Sequence, residues 1–507
     1  MAGRYIRLLP EDHDPVNWDD LDRLAWKMTS RQEQTPTPET ELDPEEDREI
    51  TAAYTYLGQF VDHDLTFDPT SKLRESLDEK QLDALADFRT PRFDLDNLYG
   101  RGPADQPYMY AEDGIHMLLG DPMSGNPFDP DARQIPRGPS GRALIGDPRN
   151  DENRIVAQLH AIFLRFHNQV ADYLGKPEQL GNDVRFEDVR NQVRWHYQWM
   201  LVTDFLPTVV NSKTYLSVFA DRHHPTPRLP GFQNRLRLMP VEFSVAAYRF
   251  GHSMIRPQYR LNTTIERRPI FLPDGDGTHD GVGTHADDAA DLGGFRPIPS
   301  DWAIDWQFFI DLGPGARTAA TSPLNDPIAR RPQQAYKIDT ALVSPLRDLP
   351  PRIASDPSML ALRNLERGNI FRLPSGQAAA QALGEEVITD KDLVIGKATA
   401  DAKPVRLTKI AGRFAGRAPL WAYILSEAQV TSWRNRRGAR RNDIPVKLGP
   451  VGGRIVAGVF AALLRGDPTS YLNGGASFRP IPEFARGETF GLAELINSAL
   501  RPTKKDR

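Results

Sequence analysis

The chain has 507 residues, 39% hydrophobic and 26% charged, with a formal net charge of −5 and no cysteine. That length supports a large core. The composition excludes disulfides, thiolate metal sites and the global basic excess of a nucleic-acid or membrane-surface binder.

In chain order, residues 1–48 are expected as an N-terminal extended arm, because 28–48 (MTSRQEQTPTPETELDPEEDR) are polar, acidic and Pro-containing. Residues 49–507 are expected as one domain. The opening MAGRYIRLLPEDHDPVNW lacks a signal-peptide apolar core, and the longest apolar run, VAGVFAALL, is too short to span a bilayer. A soluble protein is expected, cytoplasmic or secreted without a recognisable signal. Apolar residues at helical spacing predict helices over 50–65, 151–174, 185–205 (ended by Pro207) and 240–255, and further ones over 301–311, 357–367, 419–430 and 450–465. Residues 265–298, which contain DGDGTHDGVGTHADDAADLGG, read as a long surface loop. Strand patterns are scarce, so the fold class is mainly α with long Pro/Gly-rich connections.

GQFVDHDLTFD (58–68) places polar groups in an otherwise apolar helix. Positions i, i+3 and i+4 share a helix face, so Gln59, Asp62 and His63 line one side and Asp64 points about 100° away. Asp62 is expected to look into the cavity that His63 faces, and Asp64 out of it. A partner for Asp64 lies in TPRFDLDNLYG (90–100). There Thr90, Arg92, Asp94 and Asp96 alternate, so an extended strand presents them, or the Arg92 carbonyl, on one side. Carboxylates, a hydroxyl and a carbonyl form the oxygen-rich set that suits Ca²⁺; a solvated acidic turn is the plainer reading of the same residues.

These motifs resemble the distal helix and calcium loop of the animal-type haem peroxidases, the peroxidase–cyclooxygenase superfamily. GDPRNDE (146–152), HAIFLRFHN (160–168), YRFGHSMIRP (248–257) and RNLERGNIFRLPSGQ (363–377) match in the same order. The closing PLWAYILSEAQ and LGPVGGRI look like the family's bacterial members. The resemblance covers roughly 50–465 and implies a helical domain with haem b buried between a distal and a proximal helix.

It further implies a peroxidase that reduces hydrogen peroxide and oxidises small donors through a ferryl intermediate. His63 would be the distal acid–base, Gln59 the holder of a distal water or halide, and Arg149 the fixed positive charge near the breaking O–O bond. His252 would ligate the haem iron, with Gly251 admitting the macrocycle and Asn364 accepting the imidazole N–H. Arg249 and Arg367 correspond to proximal arginines near a propionate. Carboxylates at the positions of Asp62 and Glu152 can form ester links to the haem. Asn153 stands where myeloperoxidase has a sulfonium-forming methionine, which disfavours chloride and leaves iodide, thiocyanate, bromide and phenols as donors. The residue three before His252 is Arg249, not the tyrosine of cyclooxygenases; Tyr248 is its neighbour.

Other features carry less. His160 and His167 are expected as buried structural residues, His223 and His224 as solvated. DGDGTHDGVG lacks an EF-hand's closing glutamate, and RNRRGARR (434–441) reads as a solvated basic loop. Two other functions fit fewer residues: a metal-dependent phosphohydrolase built on the His63–Asp64 pair, and a peroxidase-fold binding protein without catalysis.

Overall fold

The computed structural model describes residues 3–11, 16–31, 43–67, 85–232, 238–272, 291–313, 331–354, 356–474 and 478–502. Its main helices are α1 (Trp18–Met28), α2 (Ala52–Leu65), α3 (Arg154–Leu174), α4 (Phe186–Met200), α5 (Leu360–Ile370), α6 (Leu420–Asn435), α7 (Pro450–Gly466) and α8 (Leu492–Ala499). The strands are short. β1 (Gly3–Ile6) pairs antiparallel with β3 (Ala86–Asp87) and parallel with β4 (Leu238–Pro240), while β2 (Glu46–Thr51) pairs antiparallel with β5 (Gln334–Tyr336). Among the described residues no helix is long and apolar enough to cross a membrane.

α3 is the axis of the core, buried on nearly every face. Its polar members are therefore paired: Arg165 donates to Asp129 at 2.6 and 2.9 Å, and Asn168 donates to the Met117 carbonyl. Its side-chain-capped start is Asn153, whose Oδ1 accepts from the N–H groups of Ile155 and Val156. Asp151 and Glu152, expected in the helix's first turn, stand just ahead of it. α2 packs between α3 and the segment Glu242–Met254, and this sandwich positions the site.

Several expectations change. Within 1–48, β1 and α1 belong to the domain, and Leu21, Leu24 and Met28 of α1 are fully buried at i, i+3 and i+7. Residues 32–42 of the expected arm, and 273–290 of the expected loop, lie outside the described residues. Pro207 does not end the helical run: α4 passes into a wide turn over Leu201–Phe205 and then a short helix, Leu206–Val209, that contains the proline. The expected helix over 301–311 is one short turn, Trp306–Phe308. The N–H groups of Ala303 and Asp305 donate to Ser124 and Leu261 carbonyls, so an i−4 ladder cannot form. The 240–255 helix is irregular: a wide turn over Glu242–Ala246 breaks at Ala246 (φ −129°) into a tight one over Ala247–Met254.

Candidate active site

Gln59, Asp62 and His63 share one face of α2 and line a cavity of about 260 Å³. Arg149, Glu152 and Asn153 close the same side, and Tyr248–His252 with Arg363 form the opposite wall. Ile270, Phe271, Leu346, Leu349, Ile353 and Leu360 supply apolar flanks.

Nδ1 of His63 lies 2.8 Å from Oδ1 of Asn150, and its Nε2 lies 3.8 Å from Oε1 of Glu152. Burial, reinforced by the Arg149 charge, lowers the His63 pKa to about 4. The ring is thus neutral at pH 7, with Nε2 on the side of Glu152. Gln59 donates to Glu152 and accepts from Nδ2 of Asn153 at 2.9 Å. Burial pushes the Glu152 carboxyl up to about 7, against the lowering effect of Arg149. Asp62 accepts from the Thr66 hydroxyl at 3.1 Å.

The Arg149 guanidinium is pinned. It donates to Asp147 at 2.8 Å, to the Thr66 carbonyl at 2.6 Å and to the His63 carbonyl at 3.3 Å, and it lies over the Phe67 ring. Burial works against its charge, but the carboxylates of Asp147, Asp62 and Glu152 together outweigh it and raise the pKa.

Across the cavity the Asn364 amide, on α5, meets Nδ1 of His252 at 2.7 Å. The amide nitrogen faces the ring; a half-turn puts Oδ1 in its place, where it accepts the Nδ1–H and leaves Nε2 bare for a metal. The expected acceptor role of Asn364 requires that second orientation. Burial, then the Arg249 charge, lowers His252 to about 3, so the imidazole is neutral, as a ligand must be. A Cβ placed on Gly251 would meet nothing within 4 Å, so the backbone here leaves open space for a flat group. Arg249 lines the wall and donates to the Ser244 carbonyl. Arg363, one turn before Arg367, also lines it; only the i, i+4 relation to Arg367 could have suggested it from sequence.

This donor set fits haem: a neutral imidazole with an anchored second nitrogen, apolar flanks, a glycine-lined wall, and arginines on the side where a carboxylate-bearing edge would lie.

Asp64 points away from this cavity. Its carboxylate and those of Asp94 and Asp96 come within 4.8 Å of one another. Asp64 is fully buried with the Tyr197 hydroxyl beside its carboxylate, and Oδ1 of Asp94 is buried without a hydrogen-bond donor among the described residues. Burial and then mutual repulsion raise Asp64 well above its usual range; burial followed by Asp96 lifts Asp94 to about 8. Three such groups packed together are costly, and a divalent cation would relieve them. The 90–96 stretch is no strand: it is a looped segment with Leu95 at φ 59°, and that bend turns Asp94 and Asp96 onto Asp64. Thr90 gives its N–H to Asp96, and the Arg92 guanidinium lies 3.6 Å from Asp467.

The remaining candidates are structural. His167 sits between the Tyr99 hydroxyl and the Ile115 carbonyl. His224 contacts Asp221 on the surface, and His223 contacts Arg479. Arg434 and Arg436 of the basic run pair with Glu386, Asp392 and Glu49. Because His63 and Asp64 face different sites, they do not form the shared ligand pair a phosphohydrolase would need. Sequence reasoning misses Asp147 and Asn150, which carry no periodic signal and gain meaning only from the turn that places them.

Residues 80–274 match the family model described as animal haem peroxidase. The chain is 29% identical over 190 residues, 37% of its length, to the human protein named "Probable oxidoreductase PXDNL", of which the match covers 12%. It is 24% identical over 207 residues, 38% of its length, to thyroid peroxidase of Sus scrofa, covering 21% of that protein. The match therefore spans about an eighth to a fifth of these relatives' length. In fold it is similar to peroxidase A of Dictyostelium discoideum, with a TM-score of 0.56 and 16% identity over 99% of this chain and 95% of that one. The Oryza sativa fatty acid alpha-dioxygenase gives 0.55 and 14%, over 98% and 80%. The segment 80–274 is thus similar to the animal haem peroxidase family, and the chain as a whole shares its fold with the peroxidase and the dioxygenase.

Proposed function

We propose that the protein is a haem peroxidase that reduces hydrogen peroxide and oxidises small donors. The observation that carries this reading is the pair of buried, neutral histidines on opposite walls of one cavity, His63 held through Nδ1 by Asn150 and His252 by Asn364. Haem, when bound, supplies the redox chemistry, taking oxidising power from peroxide and passing it to donors.

Nε2 of His252 would hold the haem iron, with Asn364 fixing the ring. Nε2 of His63 takes the proton of bound hydrogen peroxide and returns it to the departing oxygen. The Arg149 guanidinium, held still by Asp147, keeps positive charge beside the oxygen that becomes negative. Gln59, with its amide fixed by Asn153, holds Glu152 against the cavity. Asp62 and Glu152, both on the cavity wall, would supply the ester links to haem, and Asn153 offers no sulfur for a third link. Iodide, thiocyanate, bromide and phenols are the donors this arrangement suits. Asp64, Asp94 and Asp96 would hold Ca²⁺.

The test is the absorption spectrum of protein purified with haem supplied, before and after one equivalent of hydrogen peroxide. A Soret band that shifts and then recovers with iodide supports the reading. An inert Soret band favours a catalytically silent scaffold, and no Soret band removes the haem assignment.

A further inference from the structure

Asn150 stands between two imidazoles. Its Oδ1 lies 2.8 Å from Nδ1 of His63, and its Nδ2 lies 3.0 Å from Nδ1 of His160. Asn150 and His160 are fully buried and His63 is 4% exposed, so water does not compete for these bonds. A primary amide has one accepting end and one donating end, so it cannot treat the two rings alike. With oxygen toward His63, that ring must carry its hydrogen on Nδ1. With nitrogen toward His160, that ring must accept on Nδ1 and carry its own hydrogen on Nε2. A half-turn of the amide reverses both assignments together. It would then leave His63 with an N–H aimed into the cavity and no lone pair to receive a proton.

The geometry points to His160 as a positioning residue: through Asn150 it selects the His63 tautomer whose cavity-facing Nε2 is unprotonated. This rests on the peroxidase reading for its purpose, but not for its geometry. His160 never touches the cavity. Its Nε2 is enclosed without a hydrogen-bond partner among the described residues, and its ring meets Phe60 edge-on at 5.9 Å between centroids, on the same helix as His63. Phe60 is itself stacked on Phe163 at 4.3 Å, so the His160 ring has little room to turn. Burial also keeps His160 neutral, lowering its pKa to about 3, so its ring retains one unprotonated nitrogen able to accept from Asn150. The orientation of one amide is thus decided one residue further from the chemistry than the base it serves.

The test uses the full-length chain with ¹⁵N-labelled histidine, in which two-bond ¹H–¹⁵N spectra assign each ring's tautomer, together with the rate of peroxide reaction once haem is supplied. The parent is expected to show His63 protonated on Nδ1 and bare on Nε2. His160→Phe, which removes the acceptor for Asn150, is expected to give mixed His63 tautomers and a rate lower by at least about ten-fold with the Soret band retained. His160→Gln, whose amide oxygen can accept from Asn150, is expected to restore most of the rate and the single tautomer. A parent with the hydrogen on Nε2 overturns the proposal, as does a His160→Phe protein whose His63 tautomer is unchanged. If His160→Phe does not fold, Asn150→Ala breaks both bonds and is judged by the same spectrum. A parent that fails to react with peroxide would count against the functional reading alone, because the tautomer is measured without turnover.

Discussion

Nδ2 of Asn153 donates to Oε1 of Gln59 across 2.9 Å, tying the start of α3 to the face of α2 that carries His63. The same side chain caps α3 through its other end. Replacing it should therefore do two separable things. Asn153→Ala should cost about 1 kcal/mol of stability through the lost cap. It should also free Gln59 and weaken its hold on Glu152. Asn153→Asp keeps the cap but not the donor, so in denaturant titrations it should recover most of the stability. If both variants lose stability equally, the cap is not the source.

The acidic cluster is linked to Arg149. Arg89 lies 3.4 Å from Asp96 and 2.6 Å from Asp147, the carboxylate that pins Arg149. Stripping Ca²⁺ with a chelator should lower thermal stability and slow the reaction with peroxide together. Asp64→Ala should reproduce both losses and abolish stoichiometric calcium. Calcium content equal to that of the parent would remove Asp64 from the ligand set.

A pH effect on stability is expected from Glu427 of α6, whose buried carboxylate accepts from the N–H groups of Val451 and Gly452 at the start of α7. Burial lifts its pKa to about 8, against these hydrogen bonds. The folded protein thus binds a proton there that the unfolded chain releases from about pH 4.3 upward. The stability this group contributes is full below that value and is lost as pH rises through about 8, at up to about 1.4 kcal/mol per unit. Glu427→Gln should flatten this part of the profile. An unchanged slope would mean that the carboxyl ionises at its ordinary pKa.

Helical spacing is enough to place α2, α3, α5, α6 and α7, and it puts His63 and Asp64 on different faces of α2. It fails where backbone hydrogen bonds leave the local ladder, as at Ala303 and Asp305, and where the helix breaks at Ala246. Alternation in 90–96 points to Asp94 and Asp96 through a strand that does not exist; the left-handed turn at Leu95 brings them in instead. The side chains that hold the site residues, Asn150, Asp147 and the amide of Asn153, are not legible as such. Their role depends on contacts across roughly ninety residues of chain, and no spacing rule reaches that far.

The two carboxylates on the cavity wall differ in freedom, and that bears on how haem is held. Asp62 accepts from the Thr66 hydroxyl in its own helix turn, whereas Glu152 takes a hydrogen bond from Gln59 and faces Nε2 of His63 at 3.8 Å. If both form esters, acid–organic extraction of the parent should leave haem on the protein. Asp62→Val with Glu152→Gln should then release it. The single variants should separate the two bonds, and Gln59→Ala should change the Glu152 link without touching that of Asp62, because the Gln59 amide donates to the former. Neither carboxylate ligates the iron, so all four variants should keep a Soret band, whereas His252→Ala should lose or shift it. A parent that already releases its haem completely would show that these carboxylates stay free and serve only to shape the cavity.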